Sequence, residues 1–112
     1  MEHEVAVIGE RETVIGFSLA GVKYAHIHSD RSETLSKLSE FLSSERMGVI
    51  MITYRVREEL GEEFEKLVAG KDPIPVVLSI PDRTGYVPPV DELMRMVERT
   101  VGAKIVIKEE ET

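Results

Sequence analysis

Cysteine, asparagine, glutamine and tryptophan are all absent from this 112-residue chain. Without cysteine there can be no disulfide framework, no thiol nucleophile and no thiolate metal site. The lack of Asn, Gln and Cys, together with a large excess of Glu over Asp, is typical of proteins from thermophiles. We therefore expect a thermophile's protein, and the absence of cysteine also fits a reducing cytoplasm.

Long apolar runs and an excess of positive charge are missing too. No stretch approaches the roughly 18 apolar residues that span a membrane, and no basic and apolar leader opens the chain. The 14 basic and 21 acidic residues give a formal net charge of −7, which repels nucleic-acid phosphates and anionic lipids. We therefore expect no membrane insertion, no secretory signal and no nucleic-acid partner.

Short apolar runs alternate with amphipathic stretches along the whole chain. With 42% hydrophobic and 31% charged residues, the composition is that of one folded domain. The apolar runs predict buried strands at residues 5–8, 22–27, 48–53 and 74–81. Prolines near the ends of the fourth run place it at a margin of the sheet.

The stretches between these runs predict helices. Thr13 and Gly21 are suited to begin and end the first helix, and Asp30 with Glu33 has the spacing of a capping box at the start of the second. A third helix is predicted over residues 54–69. The last predicted helix begins at Pro89 and carries an apolar stripe of Val90, Leu93, Met94, Val97 and Val101.

Alternating strands and helices predict right-handed crossovers and a mostly parallel sheet. The expected fold class is a small, doubly wound α/β sandwich of four to five strands flanked by helices, as in flavodoxins and receiver domains. Residues 1–89 would form its core. Residues 90–112 would add the last helix, a short fifth strand at 103–107 and a charged tail, either within the same domain or detachable.

Ligands of such a fold bind beyond the carboxyl ends of the strands, and two ligand classes could suit this edge. A receiver domain needs acidic residues after the first strand, where Glu10 and Glu12 lie, but also an Asp at the end of the third, which ends in Thr53 and Tyr54. A dinucleotide site needs closely spaced glycines, and the phosphate loop of flavodoxins is missing. We therefore predict no catalytic residues, no metal and no cofactor, with a receiver-like or flavodoxin-like ligand-binding module as the alternative.

Two histidines are the other candidates for chemistry. His26 and His28 are two positions apart, so on a strand they share one face and could contribute to a metal site. No third ligand is evident from the sequence. Ordinary histidines at the end of a strand are the favoured interpretation.

Surface features indicate a protein partner instead. The proline-bounded loop offers Arg83 and Tyr86, residue types that are enriched in interfaces. The C-terminal stripe can either pack on the sheet or dock on a partner helix.

The opening of the chain resembles that of the F subunits of the archaeal and vacuolar-type rotary ATPases. Residues 7–21 have a strand ending in Gly, an acidic pair spaced by one residue, Thr-Val, and then Gly-Phe-x-Leu-Ala-Gly. Residues 49–53, 75–81 and 101–105 are similar to later segments of the family, so the resemblance covers nearly the whole chain.

The resemblance implies a non-catalytic subunit of the central rotor shaft, on the cytoplasmic side of the membrane complex. In this family the F subunit clasps the coiled-coil D subunit, and its C-terminal helix can reach toward the catalytic A and B subunits. The shaft couples proton or sodium flow to ATP synthesis or hydrolysis. The candidate partner interface comprises Glu10, Arg11, Arg83, Tyr86, Leu93, Met94, Met96, Val97 and Val101.

Overall fold

Four parallel strands form the centre of the molecule, in the order β2-β1-β3-β4. The computed structural model describes residues 3–89 together with residues 91, 94 and 95. Within them the elements are β1 (Glu4–Gly9), α1 (Arg11–Leu19), β2 (Tyr24–Ile27), α2 (Arg31–Ser43), β3 (Met47–Thr53), α3 (Tyr54–Leu60), α4 (Glu62–Ala69) and β4 (Val76–Ile80). The predicted α/β fold with a parallel sheet is confirmed, and β4 lies at the predicted margin. The predicted fifth strand lies outside the described residues.

The two faces of the sheet are covered differently. Ala6 and Ile8 of β1 join Ile50 and Ile52 of β3 in one buried cluster. Helices α2, α3 and α4 complete this cluster with Leu38, Phe41, Val56, Leu60, Phe64 and Val68. Because side chains alternate along a strand, Val7 points to the opposite side, where α1 lies against β1 and β2. We call the two sides the core face and the α1 face.

The ends of the first two helices test the capping predictions. Asp30 caps α2 as predicted, with its side chain accepting a hydrogen bond from the Glu33 backbone at 3.1 Å. Gly21 follows α1 with a φ of +112°. The backbone N–H of the next residue, Val22, donates a hydrogen bond to the Phe17 carbonyl. The prediction that Thr13 begins α1 is wrong. The helix begins at Arg11, directly after the extended Glu10, so Thr13 lies within the first turn and is buried.

The prediction of one helix over residues 54–69 is also wrong, because Gly61 divides it into α3 and α4. Gly61 has a φ of +63°, a conformation that residues with a side chain rarely adopt. The carbonyl of Leu60 at the break accepts a hydrogen bond from Arg31 at 3.0 Å. The break therefore redirects the chain, and α2 supplies the partner for a backbone group that the helix end releases.

None of the helices in the described part of the chain combines the length and the apolarity needed to cross a membrane.

Candidate partner interface

The carboxyl ends of β1 and β3 meet where the order of the strands reverses, which is the usual ligand position in doubly wound folds. Gly9 ends β1, and a β-carbon at this position would lie only 2.8 Å from the Thr53 methyl group at the end of β3. The Thr53 hydroxyl donates a hydrogen bond of 3.3 Å to the carboxylate of Glu10. The strand ends therefore contact each other directly, and the charge presented here is negative, which does not suit a phosphate.

The loop that follows β4 is held on α3 by polar contacts. Arg55 donates a hydrogen bond from Nε to Asp82 at 2.6 Å, and the Thr84 hydroxyl donates to the other Asp82 oxygen at 2.6 Å. The Tyr86 hydroxyl donates to Glu58 at 2.8 Å. The Arg55 guanidinium also lies 4.4 Å from the centre of the Tyr86 ring. This loop is therefore an ordered part of the surface.

The charge of Asp82 is central to this arrangement. Its hydrogen bond from the Thr84 hydroxyl, and then those from Arg55 and from the backbone N–H groups of Thr84 and Tyr86, lower the pKa of Asp82 to about 2 from the ordinary 3.8, against the opposing effect of burial. Because the pKa is lower in the folded state, Asp82 stabilises the fold above about pH 4. This contribution is lost as the pH falls from about 4 to about 2.

We expect Asp82→Asn to lower the free energy of unfolding at neutral pH by about 1–3 kcal/mol, because hydrogen bonds to a charged group are the stronger ones. At about pH 2, where about half of Asp82 is protonated, most of the loss should vanish. Urea unfolding of both proteins over this pH range measures the difference. Asp72→Asn, at an exposed aspartate, is the control. A difference that does not depend on pH would contradict the assigned role.

Helix α1 carries apolar side chains on its outer side. Ile15 is 41% exposed and Leu19 is 85% exposed. Beside them a groove of about 350 Å³ separates α1 from the loop after β4, lined by Gly16, Phe17 and Ala20 of the helix and by Pro81 of the loop, among others. We call Ile15, Gly16, Phe17, Leu19 and Ala20 the α1 surface. A helix that is apolar on its outer side as well as its inner side is expected to be covered by another element.

The apolar character continues beyond the groove onto the sheet. Val77 of β4 packs against the core cluster, so its neighbours Val76 and Leu78 point to the α1 face. Val76 is 50% exposed and Leu78 is 49% exposed. The α1 face thus presents an exposed apolar area that extends from helix α1 to the edge strand β4.

The structure places the predicted interface residues in separate groups. Glu10 and Arg11 lie at the start of α1, and Arg83 joins them through a 3.8 Å ion pair with Glu12. Tyr86 lies on the other side of the loop, against α3. The remaining members come from the predicted last helix: Met94 is helical and 46% exposed, whereas Leu93, Met96, Val97 and Val101 lie outside the described residues.

Ile15 and Leu19 are not among the interface residues predicted from the sequence. The available signal is the nearly uncharged character of residues 13–22 in a chain of which 31% is charged. A surface helix of this chain would be expected to carry charges on its outer side. The lack of charge in residues 13–22 therefore indicates a helix whose outer side is not adapted to water. Which residues form that outer side is seen only in the structure.

The two histidines lie on the same side of the sheet, as predicted, and both contact Thr34. The ring nitrogens His26 Nε2 and His28 Nδ1 are 3.0 Å and 2.7 Å from the Thr34 hydroxyl oxygen. Among the described residues, no group of three His, Asp or Glu side chains is arranged to hold a metal ion.

The fold and its surface define a class: a small, doubly wound α/β domain with an exposed apolar helix beside its sheet. Comparison with known proteins adds the family. The model of the family described as "ATP synthase (F/14-kDa) subunit" matches residues 5–97. The chain therefore belongs to the family of ATP synthase F subunits, and with it to the A/V-type ATP synthase complexes.

Individual relatives agree with the family model. The F subunit of the A-type ATP synthase of Pyrococcus furiosus is 32% identical over 106 residues, covering 91% of this chain and 97% of the relative. That of Methanocaldococcus jannaschii is 26% identical over 102 residues, covering 91% and 98%. The solved F subunit of the V-type ATP synthase of Archaeoglobus fulgidus is 22% identical, covers 71% of this chain and 99% of that one, and has a TM-score of 0.49. The thermophile-like composition fits relatives from thermophilic archaea.

Proposed function

We propose that this chain is a non-catalytic subunit of the central stalk of an A/V-type ATP synthase, on the cytoplasmic side of the membrane. In this role it binds the coiled-coil D subunit and contacts the catalytic A and B subunits. It thereby helps to couple proton or sodium flow to ATP synthesis or hydrolysis. It uses no cofactor and contributes no catalytic residue.

The observation that carries this proposal is the exposed α1 surface. A coiled coil offers long rows of side chains, and Ile15 and Leu19 are one helical turn apart, so both can contact one helix of such a partner. Gly16 and Ala20 line the groove without bulky side chains. The space beside Gly16 is open, since a β-carbon added there would have no atom within 4 Å. Backbone and partner side chains can therefore approach closely at this position.

Residues 90–112 supply the second contact of the proposal. Residues 91, 94 and 95 are helical, in agreement with a helix that starts near Pro89. The loop that precedes residue 90 is held on α3 through Asp82 and Tyr86. We propose that this helix, through Leu93, Met94, Met96, Val97 and Val101, reaches the catalytic head while residues 1–89 stay on the shaft.

Mixing the purified chain with the coiled-coil D subunit of the same organism on a sizing column tests this proposal. We expect a stable complex of one copy of each chain, because one α1 surface serves one coiled coil. The coiled-coil protein, denatured and diluted before mixing, is the control for non-specific association. Separate elution of the two native proteins at micromolar concentration would contradict the proposed function.

The alternative, a receiver-like or flavodoxin-like module, predicts a different response. Such a module would gain thermal stability with Mg²⁺ and a phosphoryl donor, or with flavin mononucleotide. The Glu10 carboxylate beside Thr53 disfavours the phosphate group of flavin mononucleotide, and phosphoryl transfer is disfavoured because Thr53 and Tyr54 stand at the end of the third strand instead of an Asp. Parallel melting curves with these additives distinguish the two functions on the same protein sample.

A further inference from the structure

Four side chains from three elements form one continuous series of hydrogen bonds. His26 lies in β2 and His28 just after it, Thr34 in α2, and Glu59 in α3. The Thr34 hydroxyl is shared between His26 Nε2 at 3.0 Å and His28 Nδ1 at 2.7 Å. The other ring nitrogen of His28, Nε2, lies 2.6 Å from the Glu59 carboxylate. Thr34 is fully buried, so these partners determine the orientation of its hydroxyl group.

The carboxylate of Glu59, at the end of the series, determines which atom donates in each hydrogen bond. An ionised carboxylate only accepts, so His28 donates from Nε2 to Glu59. A neutral His28 must then accept at Nδ1, and its donor is the Thr34 hydroxyl. The Thr34 oxygen in turn accepts from His26, whose proton therefore lies on Nε2. All the donors point from His26 toward Glu59, which is the arrangement in which such bonds strengthen one another.

We propose that this series of hydrogen bonds is a proton-triggered switch that transmits the protonation of His28 to His26. When His28 takes up a proton at Nδ1, both of its ring nitrogens become donors. The Thr34 oxygen must now accept from His28, and its single hydrogen turns toward His26 Nε2. His26 then releases the Nε2 proton to solvent and gains one at Nδ1, so the net uptake is one proton, held by His28.

The surroundings favour this order of events. The Glu59 carboxylate of α3 lies 2.6 Å from His28 Nε2 and forms an ion pair with the ring when the ring is charged. The charged groups of α2 that face His26 are Lys37 and Glu33. On β1, Ile8 pairs with His26 and is uncharged. Burial first, and then Lys37, lower the pKa of His26; Glu33 opposes them, and His28 adds the smallest lowering effect. These effects favour the neutral form of His26.

The switch changes a surface of the molecule without moving its backbone. His26 belongs to β2, an edge strand of the sheet, and its Nδ1 atom changes from an acceptor to a donor when His28 is charged. A proton bound by His28, next to Glu59, is thus reported through Thr34 at His26, two positions away along the chain. This inference does not depend on the proposed partners, since it concerns the isolated chain.

Nitrogen-15 NMR of the imidazole rings tests the switch, because it distinguishes the two neutral tautomers and the charged form. At about pH 8.5 we expect both histidines of the full chain to carry their protons on Nε2 by roughly tenfold. As the pH is lowered and the His28 signals report its charged form, the His26 preference should reverse to Nδ1 in the same proportion. A His26 tautomer ratio that stays constant during the titration of His28 would overturn the proposal.

Two variants of Thr34 show whether the hydroxyl transmits the change. In Thr34→Val, which keeps the shape but removes the hydroxyl, the His26 tautomer should no longer follow His28. In Thr34→Ser the coupling should return. If Thr34→Val does not fold, Glu59→Ala provides the test. At about pH 8.5 this variant should weaken the tenfold tautomer preference of His26. Because Glu59 does not contact the His26 ring, such a change has to pass through His28 and Thr34. Wild-type behaviour of His26 in Thr34→Val or in Glu59→Ala would refute transmission through Thr34.

Discussion

Replacing Phe64 by alanine is expected to lower the free energy of unfolding by about 3–5 kcal/mol. Phe64 is 1% exposed and belongs to the core cluster between α4 and the sheet. The Arg57 guanidinium lies 4.5 Å from the centre of its ring, so the substitution leaves both a cavity and a buried cation without its aromatic neighbour. For a domain of this size the loss is a large part of the total stability.

Urea unfolding followed by circular dichroism measures this effect. The control is Leu19→Ala, which also truncates a large apolar side chain but at a position that is 85% exposed, so the change should stay within about 0.5 kcal/mol. The slope of the free energy with urea should be the same for both variants if the native fold is kept. Equal losses in the two variants would mean that the core cluster does not determine the stability.

Strands are the most predictable elements of this chain, because strands that are buried on both faces appear as continuous apolar runs. The predicted runs that contain Ile8 and Ile52 are therefore strands in the structure. The sequence predicts one helix over residues 54–69 because Val56, Leu60, Phe64 and Val68 follow one another at steps of four. This spacing indicates which side of the chain is buried. The spacing continues across Gly61, whereas the helix is interrupted there.

The loop contacts are not readable from the sequence. Arg55 and Asp82 are 27 positions apart, and Tyr86 and Glu58 are 28 positions apart. Such pairs depend on where β4 places the loop relative to α3, which local patterns do not encode. The same holds for the two histidines, which share Thr34 because the first turn of α2 lies beside the end of β2. Periodicity can therefore predict the sheet and most of its helices, but not the polar contacts between distant segments.

The outer side of α1 is unpredictable for a different reason. Residues 13–19 of α1 carry no charge, so no charged side chain marks the outer side of this part of the helix. The sheet makes that choice by burying Val14 against β1 and leaving Ile15 and Leu19 outside. The cost of leaving two large apolar side chains in water is tolerated in a free chain and is recovered when a partner covers them. A substitution at these two positions therefore tests the proposed interface.

The double variant Ile15→Glu with Leu19→Glu is expected to weaken binding to the coiled-coil D subunit by at least about 100-fold. Each glutamate removes an apolar contact and would have to be buried as a charge in the interface, and about 2.7 kcal/mol in total corresponds to 100-fold. Both positions are exposed in the free chain, so the free energy of unfolding should change by no more than about 1 kcal/mol. Titration calorimetry with the coiled-coil protein measures the affinity.

A matched control separates the interface from the added charge. Ile74→Glu with Val87→Glu also introduces two carboxylates at exposed apolar positions, 54% and 45% exposed, but outside the α1 surface. Both variants change the net charge from −7 to −9, so long-range repulsion affects them alike. Loss of binding in the first variant alone assigns the coiled coil to α1. Wild-type affinity in the first variant, combined with loss in the second, would move the contact to β4 and its loop, because those positions flank the edge strand.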